Sequence, residues 1–225
     1  MVEVFFNDNV IETITVLNQI GKGFEWSGEL YGEIVSDLII IKDLLILKQV
    51  VSSIGINSGI DKQKRSELRH ESLYHYAKTG RLKGNQMVGW IHSHDDLTAF
   101  LSAIDRSQVE DIYLQEIPFL ISIVISSKSK IYQRRRFGFV KKEKKLPFTM
   151  KMWFDGKFKN RKYIWFAEKI KPGKNFSFTV LNNEIPQSKF NLIKTDYDRM
   201  VEKMVCHDLK NKIPNDRSIL SDYFA

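Results

Sequence analysis

The sequence predicts an α/β protein, because some segments carry apolar residues at helical spacing and others carry them in short, dense runs. Residues 10–20 place Val10, Ile14 and Leu17 three or four positions apart, as one face of a helix requires. Residues 38–52 and 118–127 are instead rich in isoleucine, leucine and valine, which is typical of strands in a sheet.

The first elements are bounded by capping and breaking residues. The helix over residues 10–20 has Asn7 or Asp8 as a candidate cap and two glycines at its end. Residues 25–35, EWSGELYGEIV, alternate in polarity and contain two glycines, which predicts a strand with close backbone approach. Residues 38–52 are predicted to form one or two strands, with Lys42-Asp43 as a candidate turn.

The middle of the chain combines helices with buried strands. A helix is predicted over residues 61–78, where Leu68, Leu73 and Tyr76 share one side. MVGWIHSH, residues 87–94, is predicted to be a buried strand that runs into a loop. A further helix from Thr98 or Ser102 to Gln115 and strands over 118–127 and 130–140 follow.

Beyond the lysine-rich segment KKEKKLP (residues 141–147), the patterns are weaker. Short strands are predicted over 148–154, 161–167 and 176–181, with turns at Asp155-Gly156 and Pro172-Gly173 and a closing helix over 196–211. We place a domain boundary at the composition shift. The predicted domain spans residues 1–145, and residues 146–225 form a β-rich and helical C-terminal extension whose role the sequence does not disclose.

Composition indicates an ordinary globular protein, with 43% hydrophobic and 28% charged residues. The single cysteine, Cys206, excludes an intrachain disulfide and suits a reducing compartment. The chain opens without the basic and apolar pattern of a secretory signal, and charged residues interrupt its most apolar stretch, residues 38–51. We therefore expect a cytoplasmic protein that does not bind membranes.

The formal net charge of +8 is concentrated in part of the sequence. Residues 134–145 contain three consecutive arginines and four lysines. Such a segment would attract an acidic partner, either nucleic acid or protein. A solvated basic surface without a specific partner explains the same pattern equally well.

Residues 92–105 contain a candidate metal site. His92 and His94 lie two residues apart on an extended segment, so their side chains point the same way. Asp105 lies one turn into the helix that is predicted to begin near Ser102. Two histidines and a carboxylate suit zinc with a fourth position left for water, which distinguishes a catalytic zinc from a structural one. Bound zinc lowers the pKa of that water to about 7.

The pattern His92-Ser93-His94-x7-Ser102-x2-Asp105, with Gly89-Trp90 before it, resembles the signature of the JAMM (MPN+, JAB-domain) metalloproteases. These zinc isopeptidases remove ubiquitin or ubiquitin-like proteins. The family also has a glutamate ahead of a Gly-x-Leu-x-Gly strand, and Glu25 precedes Gly28-Glu29-Leu30-Tyr31-Gly32 at that spacing. The resemblance covers residues 8–140 and implies a curved mixed β-sheet flanked by helices, the JAB/MPN, cytidine-deaminase-like fold.

The resemblance also implies roles for individual residues. His92, His94 and Asp105 are the implied Zn²⁺ ligands, Glu25 the general acid/base, and Ser102 the residue that stabilises the tetrahedral oxyanion. The implied partner is a ubiquitin-like protein or its conjugates. Glu29 and Glu33 remain alternatives to Glu25, since both lie close by in sequence.

The chain departs from the family where proline usually follows the second histidine, because Asp95-Asp96 stands there. The loss of proline changes the stiffness of the loop, and the two carboxylates change the charge beside the metal. Two other functions compete with the isopeptidase: a scaffold that keeps the metal-binding fold, and a nucleic-acid-associated protein.

Overall fold

The computed structural model describes residues 2–52, 55–56, 61–95, 97, 99–127, 135–136, 139–140, 148–159, 161–168, 176–178 and 185–203. In chain order its elements are β1 (Glu3–Phe6), α1 (Asp8–Ile20), β2 (Ser27–Val35), β3 (Leu38–Ile46), β4 (Gln49–Ser52), β5 (Gly55–Ile56), α2 (Lys62–Lys78), β6 (Gln86–Ser93), α3 (Ala103–Gln108), a π-helical turn (Val109–Tyr113), β7 (Phe119–Ser126), β8 (Arg135–Arg136), β9 (Phe139–Val140), β10 (Thr149–Phe158), β11 (Arg161–Glu168), β12 (Phe176–Phe178), α4 (Gln187–Met200) and β13 (Val201–Lys203).

A mixed sheet forms the centre of the fold, with the strand order β11-β10-β7-β6-β2-β3-β1-β12. Strand β6 pairs antiparallel with β2 and parallel with β7, so it lies near the middle of the sheet. The helices and this curved mixed sheet confirm the α/β class. A smaller sheet has the order β13-β4-β5, and β8 pairs antiparallel with β9.

The two faces of the sheet carry different side chains because successive residues of a strand point to opposite sides. Ile91 of β6 belongs to the main hydrophobic core, together with Ile14 and Leu17 of α1. Trp90, its neighbour in β6, belongs to a separate cluster with Tyr113 of the π-helical turn. His92 has the same parity as Trp90 and therefore lies on the face opposite the main core.

Gly32 confirms the close backbone approach that the sequence predicts for β2, and Gly89 of β6 makes a similar approach to β7. A Cβ atom on Gly32 would lie 1.8 Å from the carbonyl oxygen of Ile40 in β3. One on Gly89 of β6 would lie 2.7 Å from the carbonyl oxygen of Ile121 in β7. Any side chain at either position would force adjacent strands apart.

The predicted turn at Lys42-Asp43 is wrong, because β3 runs through both residues. Tyr31 pairs with Asp43 and Gly32 with Ile41, so Lys42 is an extra residue that the strand accommodates as a bulge. The predicted turn at Asp155-Gly156 is also wrong. There β10 continues to pair with β7, and Gly156 has a positive φ of 95° at a second bulge.

The closing helix begins earlier than predicted and ends at Met200 of α4, where β13 starts and pairs parallel with β4. The segment 130–140 is described only at β8 and β9, which pair with each other rather than forming one strand. Several residues named in the sequence analysis lie outside the described residues: Asp96, Thr98, Pro172-Gly173 and Cys206. His207 and most of the basic residues of 134–145 lie outside them as well.

Strands β10, β11 and β12 follow the predicted domain boundary at residue 145 and nevertheless continue the central sheet. The division into a domain and an extension stays a prediction. Among the described residues, no helix combines the length and the apolar character that crossing a membrane requires.

Candidate metal centre

The two histidines are held at the end of β6 by main-chain pairing to its neighbours. His92 lies opposite Ser27 of β2 and Val124 of β7. The backbone N–H of His94 donates to the carbonyl of Ile125 at 2.8 Å, which extends the pairing one residue beyond the strand. Both imidazoles therefore emerge from the rigid centre of the sheet.

His92, His94 and Asp105 come together as the sequence predicts. Their candidate ligand atoms all lie within 4.8 Å of one another. The described part of the chain contains no second group of three histidine, cysteine or acidic side chains that could hold a metal ion in this way. The Nε2 atoms of the two histidines are 2.9 Å apart. Asp105 places Oδ1 3.4 Å from Nε2 of His92 and Oδ2 3.7 Å from Nε2 of His94.

The protonation states of this group favour metal binding. Burial lowers the pKa of His92, which keeps its imidazole neutral, the form that binds a metal ion. Burial alone would raise the pKa of Asp105, but hydrogen bonds from His92, His94 and Ser102 hold it well below its usual value. Two imidazoles and a carboxylate are a donor set that zinc accepts.

Asp105 is oriented by the first turn of α3. The Oγ atom of Ser102 accepts from the N–H of Asp105 at 3.1 Å, and a carboxylate oxygen of Asp105 accepts from the N–H of Ser102 at 2.7 Å. This reciprocal capping box satisfies two helix N-terminal donors and confirms Ser102 as the start of the predicted helix. It also fixes the carboxylate that faces the histidines.

Glu25 lies in the turn before β2, half-buried and beside the histidine–aspartate group. Burial raises its pKa to about 7; His94 opposes this shift, while the carboxylates of Asp105 and Asp95 reinforce it. The adjoining backbone is tied to the histidine segment, since Oγ of Ser93 accepts from the N–H of Trp26 at 3.0 Å and the N–H of Ser93 donates to the Trp26 carbonyl at 2.8 Å.

The two alternative glutamates are engaged elsewhere. Glu29 is fully buried and accepts from Nε of Arg69 at 2.5 Å and from the hydroxyl of Tyr31 at 2.8 Å. Glu33 forms a surface ion pair with Lys42 at 2.8 Å. The carboxyl of Glu25, by contrast, lies close enough to His94 and Asp105 for both to affect its pKa.

Sequence reasoning missed the buried ion pair between Arg69 of α2 and Glu29. Arg69 also donates to both carboxylate oxygens of Glu116 at 3.0 Å and lies over the ring of Tyr113. The signal was present, because Arg69 stands beside Leu68 and between the apolar positions of α2, where a charge needs a partner.

The remaining described histidines do not join a metal-binding group. His70 is exposed, with Nδ1 2.8 Å from the carbonyl oxygen of Ser66 in its own helix. His75 lies 3.0 Å from a guanidinium nitrogen of Arg199. Both imidazoles therefore make contacts within or between helices, away from the His92–His94–Asp105 group.

A mixed sheet with a His–His–Asp group at the end of a central strand defines a JAB/MPN-type α/β domain. Residues 8–117 match the family model described as JAB1/Mov34/MPN/PAD-1 ubiquitin protease, and this part of the chain belongs to the JAB/MPN family. Among solved structures, the chain is similar to the solution structure of protein DSY2949 from Desulfitobacterium hafniense. That match is 18% identical, covers 68% of this chain and 85% of the other, and has a TM-score of 0.41. No curated protein matches the chain significantly in sequence.

Proposed function

We propose that the protein is a zinc-dependent isopeptidase that hydrolyses the bond after the C-terminus of a ubiquitin-like modifier. The observation that carries the proposal is the convergence of His92, His94 and Asp105 within 4.8 Å on the buried end of β6. JAB/MPN membership of residues 8–117 supports the same reaction class.

The three side chains would supply two nitrogens and one oxygen to a bound Zn²⁺, a donor set that leaves a further position for water. Zn²⁺ held there would acidify a water molecule and polarise the scissile carbonyl. The preorganised, buried imidazoles reduce the reorganisation that binding requires, since β6 and its neighbours fix them before any metal arrives.

Glu25 is the proposed general acid/base. A carboxyl whose pKa is raised to about 7 both accepts and releases a proton near neutral pH. It takes a proton from the attacking water as the new C–O bond forms, and delivers it to the amine nitrogen as the C–N bond breaks. Ser102, at the edge of the group, is proposed to donate its hydroxyl proton toward the oxyanion while its oxygen still caps α3.

The decisive experiment compares zinc content and cleavage of a ubiquitin-like fusion in Glu25→Gln and in the double variant His92→Ala/His94→Ala. Glu25→Gln should keep zinc and lose at least about a hundredfold in rate, the scale of general acid–base catalysis. The double variant should lose both zinc and cleavage. Glu33→Gln is the matched control, since that glutamate is paired at the surface, and it should cleave at the wild-type rate.

Two results would refute the isopeptidase. Zinc binding without cleavage of any ubiquitin-like fusion would favour a scaffold that retains its metal site. Salt-sensitive DNA binding without cleavage would favour the nucleic-acid-associated alternative.

A further inference from the structure

Asp95, the residue after the second histidine, has a left-handed backbone conformation with φ of 38°. Aspartate is among the few non-glycine residues that adopt this region readily. Proline, the usual residue at this position in the family, is fixed near φ of −65° and cannot adopt it. The replacement of proline therefore changes the path of the backbone as well as the charge.

Asp95 connects three segments around the metal group. Its carbonyl oxygen accepts from the backbone N–H of Ser127 at 2.9 Å and from the Ser127 hydroxyl at 2.7 Å, just beyond β7. Its carboxylate accepts from the backbone N–H of Gly23 at 3.1 Å, across 72 positions of sequence. One residue thus joins the histidine loop to the end of β7 and to the turn between α1 and β2.

The turn that Asp95 holds is the one that carries Glu25. Gly23 precedes Glu25 by two residues, and Trp26 follows it and is bonded to Ser93. Glu25 is therefore flanked on both sides by hydrogen bonds to the histidine segment, one at Gly23 and two at Trp26. Gly23 itself is exposed and has no heavy atom within 4 Å of where a Cβ would stand, so packing does not restrain it.

We propose that Asp95 is a positioning residue whose carboxylate holds the Glu25 turn against the histidine loop. The mechanistic part of this inference rests on the proposed role of Glu25. The hydrogen bond from the Gly23 N–H to this carboxylate restrains the Glu25 turn, as a stiff loop would otherwise do.

The test separates the backbone conformation of Asp95 from its carboxylate. Asp95→Gly keeps access to positive φ and removes the acceptor. Asp95→Asn keeps an acceptor oxygen and the tolerance of positive φ but removes the charge. Hydrogen exchange of the Gly23 amide, zinc content and the cleavage rate of a ubiquitin-like fusion are measured for each. Asp111→Asn, at an exposed aspartate of the π-helical turn, is the matched control for charge.

We expect Asp95→Gly to exchange the Gly23 amide about tenfold faster, in line with the loss of one hydrogen bond to a charged group. Its zinc content should stay at the wild-type level, and kcat should fall about tenfold with little change in KM. Asp95→Asn should stay within about threefold of the wild type in both exchange and kcat. Asp111→Asn should match the wild type throughout.

Unchanged Gly23 exchange in Asp95→Gly overturns the proposal, as does a loss of zinc without faster exchange. Equal effects of Asp95→Gly and Asp95→Asn also overturn it, because charge rather than the hydrogen bond would then matter. If the wild-type protein cleaves no ubiquitin-like fusion, the proposed function fails. Faster exchange over residues 21–25 in Asp95→Gly alone would still support the restraint of the turn.

Discussion

The indole ring of Trp90 lies nearly flat against the imidazole of His92, with ring centroids 4.3 Å apart and planes inclined by 25°. Among the described residues, Nδ1 of His92 is buried and has no hydrogen-bond partner. A metal-binding histidine is usually oriented by a hydrogen bond from its second nitrogen. We therefore expect the stacked ring of Trp90 to restrain the imidazole in place of such a bond.

Replacing Trp90 should therefore weaken zinc binding. We expect Trp90→Leu to raise the Kd for zinc about tenfold, at the lower end of the effect of removing an orienting partner of a ligand. Trp90→Phe keeps an aromatic face and should raise the Kd by no more than about threefold. Competition with a chromophoric chelator measures both. Trp153→Leu removes an equally large side chain, one that packs on Val124 and Leu101, and should leave the Kd near the wild-type value. Equal Kd values in wild type and Trp90→Leu would contradict the prediction.

The capping role of Ser102 can be separated from its proposed catalytic role. Ser102→Ala removes an N-cap and should lower the free energy of unfolding by about 1 kcal/mol, whereas Ser102→Gly should cost only a few tenths. Urea unfolding measures both. If the hydroxyl also stabilises the oxyanion, both variants lose cleavage to a similar extent, about a hundredfold. If the cleavage rate instead falls only in proportion to the loss of unfolding free energy, Ser102 has a capping role alone.

Removing one partner of the buried ion pair between Arg69 and Glu29 should strongly destabilise the folded protein. Their side chains are 10% and 0% exposed, so removing one partner leaves an uncompensated charge in the interior. Arg69→Met is expected to lower the free energy of unfolding by about 3–5 kcal/mol, and the double variant Arg69→Met/Glu29→Gln to recover a large part of that loss.

Glu116 supplies the control for this cycle. Its side chain is 52% exposed, so solvent screens its interaction with Arg69. Glu116→Gln should cost less than about 1 kcal/mol. Denaturant unfolding of the wild type and the three variants provides the comparison, and an Arg69→Met effect as small as that of Glu116→Gln would show that the interior pair contributes little.

Removal of metal should destabilise the folded protein. A ligand present at 100 times its Kd stabilises by about 2.7 kcal/mol, which corresponds to roughly 5–10 °C in Tm for a chain of this size. Excess chelator should lower the Tm of the zinc-loaded protein by that amount. It should have no effect on His92→Ala/His94→Ala, whose Tm already lacks the contribution. A chelator-insensitive Tm in zinc-loaded wild type would count against a tightly held ion.

Local sequence was sufficient to predict the residues of the candidate metal group. His92 and His94 share a face because they are two residues apart on a strand, and Asp105 faces them because Ser102 three residues earlier starts a helix. The turns at Lys42-Asp43 and Asp155-Gly156 could not be predicted correctly in the same way. A turn and a bulge use similar residues, and pairing with β2 and β7 decides between them.

The sequence by itself thus determined the α/β class, the helices α1, α2 and α3 and the residues of the candidate metal group, since each depends on side-chain spacing within a few turns or strand steps. Only the tertiary structure showed how the side chains and turns of the three glutamates are engaged. Arg69 lies 40 positions from Glu29 and neutralises it, while residues about 70 positions away hold the turn of Glu25 beside the histidines. Contacts across such separations arise from the packing of the sheet and its helices, which no local pattern specifies.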